Sequence, residues 1–483
     1  MSEKNQLASS EIVSVNLCIP QETAPFLLEL AYGFRYSMPI TFRKGEVIMR
    51  GFVIVFLGFV LSSLTGFSQA EAFPLVEAKP GWQEALPEMR FSETDWPWWR
   101  GPMRDNIVRT KKDAPLEWGE TKNLLWRTPI AGSGHSTPII FKDHLYFTTG
   151  EGTTEAAKLF LVAVDKGTGK QAWKVELYSG PWSKLHKDNN FASSSVACDG
   201  ERLFVTYENG EKLAMLATDL NGKIVWKKWI ANYFCAWGIS TSPIPYKSAL
   251  IMAIEGQPGS WMLALNRATG DVIYRRELRK VKQSYCTPMI ATIKGKDQIL
   301  QVGGETTRGY CAATGELIWE CKGPATFCVA TPAVNGDIIY ATGGYPQREM
   351  LAIRADGTGD VTDSHVVWKT DTKVGYVPSP LYSEGVLYAV SDNGLFRAYD
   401  AMTGKILWDH NFDVPFYSSP LLANGKIYLF DRKGKGHVIP IGREKGTIVT
   451  SELPEGACAT PVVMDGKLYI RTFTDLYCFG SKE

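Results

Sequence analysis

Residues 163–173 read AVDKGTGKQAW, and versions of this stretch return along the chain. An apolar strand ends at Asp165, Gly169 follows in the turn, and the next strand ends on Trp173. An Asp or Asn side chain accepts hydrogen bonds from the turn that it begins, and Gly adopts positive φ without a Cβ clash. The stretch therefore predicts a tight β-hairpin that ends on a large aromatic side chain. Further copies occupy 217–226, 264–274, 311–319 and 399–408, and a looser copy ends at 366–368.

A second motif, an apolar strand that opens with Pro, sets the period of the repeat. Seven intervals separate Pro138 from Pro461, which gives about 46 residues per unit, in the range of propeller blades. Ser193–Val196 fill this place in the second unit, with Val for Pro. Each unit holds four short strands, and four antiparallel strands repeated radially make a β-propeller. The prolines are Pro138, Pro243, Pro288, Pro332, Pro380, Pro420 and Pro461.

The two ends of the repeat complete each other. The last unit begins at Pro461 and lacks its fourth strand, while Leu124–Trp126 forms an orphan fourth strand before the first unit. Pairing these two segments leaves no open sheet edge at the closure. The sequence therefore predicts an all-β fold, an eight-bladed β-propeller of four-stranded antiparallel blades that spans 119–483 and is closed by Leu124–Trp126.

The stretch before the repeat predicts an exported protein. Residues 1–48 show neither repeat nor periodicity and are interpreted as a doubtful N-terminal extension. Residues 49–72 combine a basic start, an uncharged apolar run and the A-x-A pattern at 70–72, which together are typical of a signal peptide. A retained membrane anchor is the alternative. We expect a mature chain that begins near Phe73, lies in the periplasm or outside the cell, and has no stable membrane span after cleavage.

Residues 73–118 are predicted to form a strap that packs on the propeller. They contain WPWWRGP at 96–102, and exposed indoles on an exported protein would make it prone to association. We therefore expect these Trp side chains to be structural, with ligand binding as the alternative.

Charge and cysteine content exclude several classes of protein. Lys+Arg 52 against Asp+Glu 51 gives no basic field for nucleic acid. The nine Cys form no C-x-x-C, so the chain has neither zinc-ribbon nor c-haem spacing. Most of them fall inside apolar strands, where a buried free thiol is the simpler interpretation, although disulfides stay open. We expect a monomer that does not bind nucleic acid.

The repeats resemble those of the pyrroloquinoline quinone (PQQ) repeat propellers over roughly residues 96–483. That superfamily includes the quinoprotein alcohol dehydrogenases and the propeller subunit of the outer-membrane barrel-assembly machine. WWRGP at 98–102, GSGHSTP at 132–138 and NFASS at 190–194 look like exported PQQ-like propellers of planctomycete-type bacteria. The resemblance implies the propeller fold, whereas a fold alone does not carry a function.

The chain departs from the better-known relatives at the residues that carry their chemistry. It lacks the vicinal Cys pair by which quinoprotein alcohol dehydrogenases resemble one another, and it lacks a C-x-x-C-H haem site. Residues 70–73 read AEAF, without the Cys of a lipoprotein, and no kinase motif is present. These departures favour an exported non-catalytic scaffold that binds a protein or polysaccharide partner through one loop face. The alternative is a PQQ-dependent oxidoreductase with Ca²⁺ and an atypical site.

Candidate residues lie in two sets of loops, before the Pro strand and after the second strand, which open on one face of a propeller. Trp237, Tyr285 and Tyr376 could stack on a planar ligand such as a quinone or a sugar, or could plug the channel mouth. The first set of loops holds His135, Asn189, Asn190, Trp237, Tyr285, Tyr376 and Tyr417. The second set holds Glu151, Glu255, Glu305, Arg308, Arg348, Asp392, Asn393, Arg397, Asp431 and Arg432.

Two further interpretations concern the polar candidates. Glu255 and Glu305 lie in equivalent loops of neighbouring blades and could hold Ca²⁺ together with Asn190, whereas solvated carboxylates are the simpler interpretation. His135 and His186 could be metal ligands or a general base, whereas hydrogen-bonded loop histidines are the simpler interpretation. No catalytic residue, metal or cofactor is assigned from the sequence. The candidates for binding are His135, Asn190, Trp237, Glu255, Tyr285, Glu305, Tyr376 and Tyr417.

Overall fold

The computed structural model of the protein describes residues 40–43, 46–49, 73–183, 185–235, 237–256, 258–278, 283–372 and 374–481. The chain divides into two compact units, 1–72 and 73–483. In the first unit, β1 (Ile40–Arg43) and β2 (Glu46–Met49) pair as an antiparallel hairpin. The rest of the predicted extension 1–48 and of the predicted signal peptide 49–72 lies outside the described residues. Over the described ranges, no helix is long and apolar enough to cross a membrane.

Eight four-stranded antiparallel sheets form the blades of the second unit, which confirms the predicted eight-bladed propeller. A 3₁₀ helix (Trp82–Glu84), β3 (Ile107–Val108) and β4 (Leu124–Pro129) precede the first blade. Blades 1 to 4 contain, in order, β5 (Ile139–Phe141), β6 (His144–Glu151), β7 (Ala157–Asp165), β8 (Gln171–Gly180); β9 (Ala197–Cys198), β10 (Arg202–Glu208), β11 (Lys212–Asp219), β12 (Ile224–Asn232); β13 (Ile244–Tyr246), β14 (Ala249–Ile254), β15 (Trp261–Asn266), β16 (Val272–Glu277); and β17 (Met289–Ile293), β18 (Lys296–Gly303), β19 (Thr306–Cys311), β20 (Leu317–Lys322).

The second strand of each blade is buried along most of its length, because neighbouring blades cover both of its faces, and in β14 it is a continuous apolar run. Blades 5 to 8 contain β21 (Ala333–Asn335), β22 (Ile338–Gly343), β23 (Glu349–Arg354), β25 (Val366–Thr370); β26 (Leu381–Ser383), β27 (Val386–Val390), β28 (Leu395–Asp400), β29 (Ile406–Asn411); β30 (Leu421–Ala423), β31 (Lys426–Phe430), β32 (Lys435–Pro440), β33 (Val449–Glu452); and β34 (Val462–Met464), β35 (Lys467–Arg471), β36 (Asp475–Phe479), β4. Two blades gain a parallel fifth strand: β24 (Gly359–Asp360) pairs with β20, and β3 pairs with β30.

The predicted closure of the propeller is confirmed, because β4 pairs antiparallel with β36 as the fourth strand of blade 8. Trp126 lies opposite Cys478 in this pairing, which is the place that Trp173 and Trp408 take in blades 1 and 6. Its ring is 8% exposed and lies 6.0 Å from the ring of Tyr469. A segment that precedes the first blade is thus an integral part of the last.

The recurrent turn joins neighbouring blades as well as neighbouring strands. Asp165 Oδ1 accepts the backbone N–H of Gly167 at 3.1 Å and of Thr168 at 2.7 Å, so the predicted turn chemistry is confirmed. Gly169 has φ +73°, and a Cβ there would lie 2.6 Å from the ring of Trp126 in the neighbouring blade. The turn glycine is therefore needed for contact between blades. The equivalent pairs are Gly222 with Trp173, Gly270 with Trp226, Gly315 with Tyr274, and Gly404 with Trp368.

The N-terminal strap crosses one end of the central channel at residues 96–106. Its hydrogen bonds reach the innermost strands, or the residues just before them, in blades on opposite sides of the ring. Trp96 and Trp98 are buried in these contacts, 1% and 6% exposed. The strap is therefore fixed across the channel. The bonded pairs are Trp96 with Ile140, Pro97 with Cys198, Arg100 with Pro380, Arg104 with Pro245, and Asn106 with Pro420.

The eight cysteines of the described residues are unpaired, and seven of them are buried. Burial raises the pKa of Cys286 and of Cys478 to about 12, which keeps these thiols protonated and unreactive.

We expect Ellman's reagent to titrate few thiols in the folded protein. After denaturation without reductant, it should titrate as many thiols as the chain has cysteines, and reductant should leave the melting temperature unchanged. A thiol count in denatured protein that rises after reduction would reveal a disulfide.

Candidate functional site

A cavity of about 440 Å³ lies on the propeller axis, since residues from all eight blades line it. On one side it is bounded by Trp99 of the strap, whose Nε1 donates to Thr331 Oγ1 at 3.2 Å. Beyond Trp99 lies a small space next to Trp98 and Arg100. The strap therefore closes one end of the cavity, and the loops before the inner strands surround the other end.

Eight Ser and Thr side chains, one from each blade, form a hydroxyl ring around the cavity. Each stands two residues before the inner strand of its blade begins. Backbone N–H groups of the ring donate to the hydroxyl oxygen of the next blade, as Thr137 N does to Ser195 Oγ at 3.0 Å and Thr460 N does to Thr137 Oγ1 at 3.2 Å. Where blades 4 and 5 meet, Thr331 Oγ1 instead donates to Thr287 O at 2.9 Å. The ring members are Thr137, Ser195, Ser242, Thr287, Thr331, Ser379, Ser419 and Thr460.

Aromatic side chains form the wall above the hydroxyl ring, and we call them the aromatic rim. The ring of Trp237 lies 5.6 Å from that of Tyr285 and 6.2 Å from that of Tyr345. Phe327 supports Trp237 from behind, edge to face at 4.7 Å. Tyr345 is 53% exposed, so the rim meets solvent there. The members that line the cavity are Trp237, Tyr285, Tyr345, Tyr376 and Tyr417.

The charged groups at the cavity mouth are largely neutralised. Arg432 Nη2 lies 2.8 Å from Asp188 Oδ1, and this hydrogen bond holds the pKa of Asp188 below its usual value. The Arg432 guanidinium also lies 4.3 Å from the ring centre of Tyr417. Burial lowers the pKa of His135 to about 3, and Arg471 and Arg432 add to this effect. His135 is therefore a neutral imidazole at physiological pH.

The structure brings five of the eight sequence candidates together around the cavity: His135, Trp237, Tyr285, Tyr376 and Tyr417. From the second set of predicted loops, Asp392 supports this wall from behind, because its carboxylate accepts the backbone N–H groups of Tyr376 and Val377 at 3.0 Å each. At these residues, the first set of loops therefore surrounds the cavity.

The three proposed Ca²⁺ ligands are not brought together. Asn190 lies at a neighbouring cavity of about 400 Å³, and its Oδ1 accepts the backbone N–H of Ala192 at 2.8 Å. Glu305 is exposed and accepts the hydroxyl of Thr326 at 2.8 Å. Among the described residues, no group of three or more His, Cys, Asp or Glu could hold a metal ion.

Glu255 corrects one interpretation of the sequence, because its carboxylate is buried at 2% exposure and not solvated. Its Oε2 accepts Gln301 Nε2 at 2.9 Å, and Arg308 Nη1 lies 3.6 Å from its Oε1. Burial raises the pKa of Glu255, partly offset by the Gln301 hydrogen bond and the Arg308 charge. Glu255 therefore belongs to a polar network between blades 3 and 4.

Sequence reasoning missed the hydroxyl ring and the exposed rim residue Tyr345, and it considered Trp99 only together with the other strap Trp side chains, with ligand binding as the alternative. The ring did leave a signal, since Ser or Thr stands directly before the Pro of seven units, as in Thr137-Pro138, and Ser195 stands before Val196 in the second unit. Trp99 and Tyr345 left no periodic signal, because the strap lies outside the repeat and the loops after the second strand differ in length and sequence from blade to blade.

Glu208 is a buried titratable group whose charge acts on Tyr285 of the aromatic rim. Its Oε1 accepts the Ser183 hydroxyl, and its Oε2 has no hydrogen-bond partner in the described part of the chain. Burial raises the pKa of Glu208 to about 7, and Tyr233 and Cys235 are titratable neighbours. Because the pKa of Glu208 is higher in the folded state, its carboxyl group stabilises the folded state fully at a pH below 4.5, the ordinary pKa of the group. This stabilisation is lost as pH rises through about 7.

We expect Glu208→Gln to remove this loss, because the amide stays neutral at every pH. As pH is raised from about 5 to about 8, the free energy of unfolding of the variant minus that of wild type should increase by at least about 1 kcal/mol. Melting temperatures across this range would measure the difference, with the exposed Glu211→Gln as the control. A difference between Glu208→Gln and wild type that stays constant with pH would contradict the raised pKa.

Comparison with known proteins places these features in a wider family. A family model described as "Outer membrane protein assembly factor BamB" matches residues 157–363 and 357–473, which reach from blade 1 to blade 8. The chain is 24% identical over 365 residues to the outer membrane protein assembly factor BamB of Yersinia pestis, across 72% of this chain and 86% of that protein.

Two further similar proteins carry the names of enzymes. The chain is 22% identical over 360 residues to the tetrathionate hydrolase of Acidithiobacillus ferrooxidans, across 67% of this chain and 69% of that protein. A solved europium-containing methanol dehydrogenase superposes with a TM-score of 0.59 at 11% identity, over 81% of this chain and 98% of that one. At such identity the structural likeness shows the fold alone.

Proposed function

The chain belongs to the PQQ-repeat propeller family whose model is described as outer membrane protein assembly factor BamB, and on this basis we propose that it is an exported, non-catalytic scaffold. It binds a protein or polymer partner through the face on which the cavity opens. The relative from Yersinia pestis is named an assembly factor, and a scaffold that holds a partner is the corresponding role here. The closeness to planctomycete-type proteins stays a prediction.

The aromatic rim is the observation that carries this proposal. Tyr345 is 53% exposed next to Trp237, on loops held by the rigid blades. Exposed aromatic side chains around a concavity are characteristic of binding surfaces, because Tyr and Trp bury much area at a small cost in conformational entropy. The strap closes the opposite end of the cavity, so the rim is the face that a partner can reach.

Site-specific photo-crosslinking in cells tests the proposal. A photoreactive phenylalanine at Tyr345 should give a discrete crosslinked species that mass spectrometry can identify. The same residue at Met402, which is 54% exposed in the outer turn of blade 6, is the matched control and should give none. The proposal is wrong if both positions give the same products, or if the Tyr345 position gives no product while the protein is folded and exported.

A PQQ-dependent oxidoreductase is the alternative, favoured by one observation. The flat faces of Trp237 and Tyr285, inclined at 33°, border a cavity that could admit a planar ligand. Such an enzyme would also need a cation held by several oxygen atoms. The residues present do not fit that need, because Glu255 is engaged by Gln301 and Arg308, away from the cavity lining.

We therefore expect no quinone-dependent turnover. The purified protein, incubated with PQQ and Ca²⁺, should reduce a dye acceptor no faster than the protein-free blank when alcohols or aldose sugars are supplied. A known quinoprotein dehydrogenase in the same assay provides the positive control. Saturable PQQ binding with Ca²⁺-dependent dye reduction that disappears in Glu255→Ala would establish the oxidoreductase instead.

A further inference from the structure

We infer that the axial cavity binds the end of a neutral saccharide chain, with a terminal sugar on the hydroxyl ring and its ring face against the aromatic rim. The inference rests on the proposed function, in that it names the class of polymer and the place where the polymer is held. Four features of the cavity support it, and they are independent of one another: the ring of hydroxyls, the aromatic wall, the charge balance and the closed end.

The hydroxyl ring presents oxygen atoms in fixed positions. Ser195 N donates to Ser242 Oγ at 2.9 Å and Ser419 N donates to Thr460 Oγ1 at 3.0 Å, so the oxygens are held by backbone groups of neighbouring blades. A hydroxyl that accepts one such bond still has a hydrogen to donate and a second lone pair. A ligand that both donates and accepts around its perimeter matches this ring best, and a sugar does so, whereas an anion only accepts.

The aromatic rim supplies the complementary surface. The C–H face of a sugar ring is apolar and packs on aromatic rings, while its hydroxyl groups stay on the edge. Trp237 and Tyr285 stand side by side at 5.6 Å above the hydroxyl ring, with Tyr376 and Tyr417 further around the same wall. Pockets that combine apolar walls with a few fixed polar groups are the usual form of small-ligand sites, and this one has room for about one or two sugar rings.

The charge balance favours a neutral ligand. Among the described residues that line the cavity, Asp188 is the one carboxylate, and it is paired with Arg432 at 2.8 Å. An anionic ligand would meet the Asp188 carboxylate while the guanidinium of Arg432 is already engaged. A cationic ligand would compete with that guanidinium, and the imidazole of His135 is neutral.

The closed end decides how a polymer can enter. Trp99 lies under the hydroxyl ring and is bonded to Thr331, so a chain cannot pass through the propeller. A chain end or a short side branch can enter from the open face, whereas the middle of a linear chain cannot. The number of binding positions on a polysaccharide should therefore follow the number of its chain ends.

Isothermal titration calorimetry with defined sugars tests the inference. Cellobiose, maltose, lactose and xylobiose are the neutral probes, with glucuronic acid and glucosamine as charged counterparts. We expect at least one neutral disaccharide to bind, and both charged sugars to bind more weakly. The polymer that contains the bound disaccharide is then compared at equal mass before and after partial hydrolysis. The number of binding sites should increase in proportion to the number of new chain ends.

Variants locate the binding in the cavity. Trp237→Ala should weaken binding about tenfold, and Trp237→Phe, which keeps a ring face, by much less. Thr460→Val removes one hydroxyl at nearly constant volume and should weaken binding about three- to tenfold, whereas Thr460→Ser should not. Phe234→Ala is the control, because Phe234 is 51% exposed and lies outside the cavity lining. Circular dichroism and melting curves establish that each variant is folded.

The outcomes separate this inference from the proposed function. Absence of heat for every neutral probe at millimolar concentration overturns the saccharide site, while a crosslinked protein at Tyr345 would leave the scaffold role standing. Tighter binding of glucuronic acid than of any neutral probe also overturns it. Equal loss of binding in Phe234→Ala and Trp237→Ala would place the sugar outside the cavity and refute the assignment.

Discussion

Replacing Trp126 by alanine is expected to lower the free energy of unfolding by about 3–5 kcal/mol, as large-to-small changes in a core do. Trp126 belongs to β4, which closes the ring of blades by pairing with β36. Its indole is buried against Tyr469, and its Nε1 donates to Lys166 O of blade 1 at 3.1 Å. The substitution removes apolar contact within blade 8 and a hydrogen bond to blade 1, where the first and last strands of the propeller pair.

Chemical denaturation followed by tryptophan fluorescence and circular dichroism measures this cost. Lys170→Ala, an exposed substitution in the turn that faces Trp126, is the control and should change stability by less than about 0.5 kcal/mol. If Trp126→Ala were no more destabilising than Lys170→Ala, the closure of blade 8 by β4 would contribute nothing to stability, contrary to the pairing described above.

Gly169→Ala is expected to cost about 3 kcal/mol, although it adds a single methyl group. Two penalties combine: Gly169 has φ +73°, which an L-residue rarely adopts, and the new Cβ would lie 2.6 Å from the ring of Trp126. Gly167→Ala, two residues earlier in the same turn, is the matched control. A Cβ at Gly167 would meet only Asp165 Oδ1, at 3.5 Å, so this variant should be nearly neutral.

A double-mutant cycle separates the two penalties of Gly169→Ala. In a Trp126→Ala background the indole is gone, so the added methyl group should lose its contact with the ring and keep its contact with Thr128 Oγ1 at 2.8 Å and its backbone cost. We expect the two changes to be non-additive, with a coupling of about 1–2 kcal/mol. Strict additivity would contradict the contact between the turn glycine and the indole of the neighbouring blade.

Much of the fold could be predicted because it is repeated. The hairpin turn that begins at Asp165 is local, since the carboxylate accepts N–H groups two and three residues further on. The Pro strand and the closing aromatic return about 46 residues later, and a unit that cannot bury its own faces must stack on its neighbours. Even the closure could be predicted, because a missing fourth strand at one end matched a surplus strand at the other.

The candidate site was predictable in outline but not in its chemistry. The loops before the inner strands surround the cavity, and Trp237, Tyr285 and Tyr376 line it. Glu255 was misjudged, because whether a loop carboxylate faces solvent or a neighbouring blade depends on the side chains of that blade. Gln301 and Arg308, about 50 residues further on, provide the partners that hold it inside.

By itself, the sequence determined the number of blades, their strand order, the turns and the way the ring closes. These follow from local hydrogen bonding and from a period of hydrophobic burial, both of which can be read along the chain. Only the tertiary structure decided that eight hydroxyls form one ring, that Trp99 closes one end of the cavity, and that Tyr345 stands exposed at the other. The physical reason is that each of these features joins residues from different blades, or from the strap and a blade. Their contacts depend on how the blades are stacked around the axis, and no local pattern specifies that arrangement.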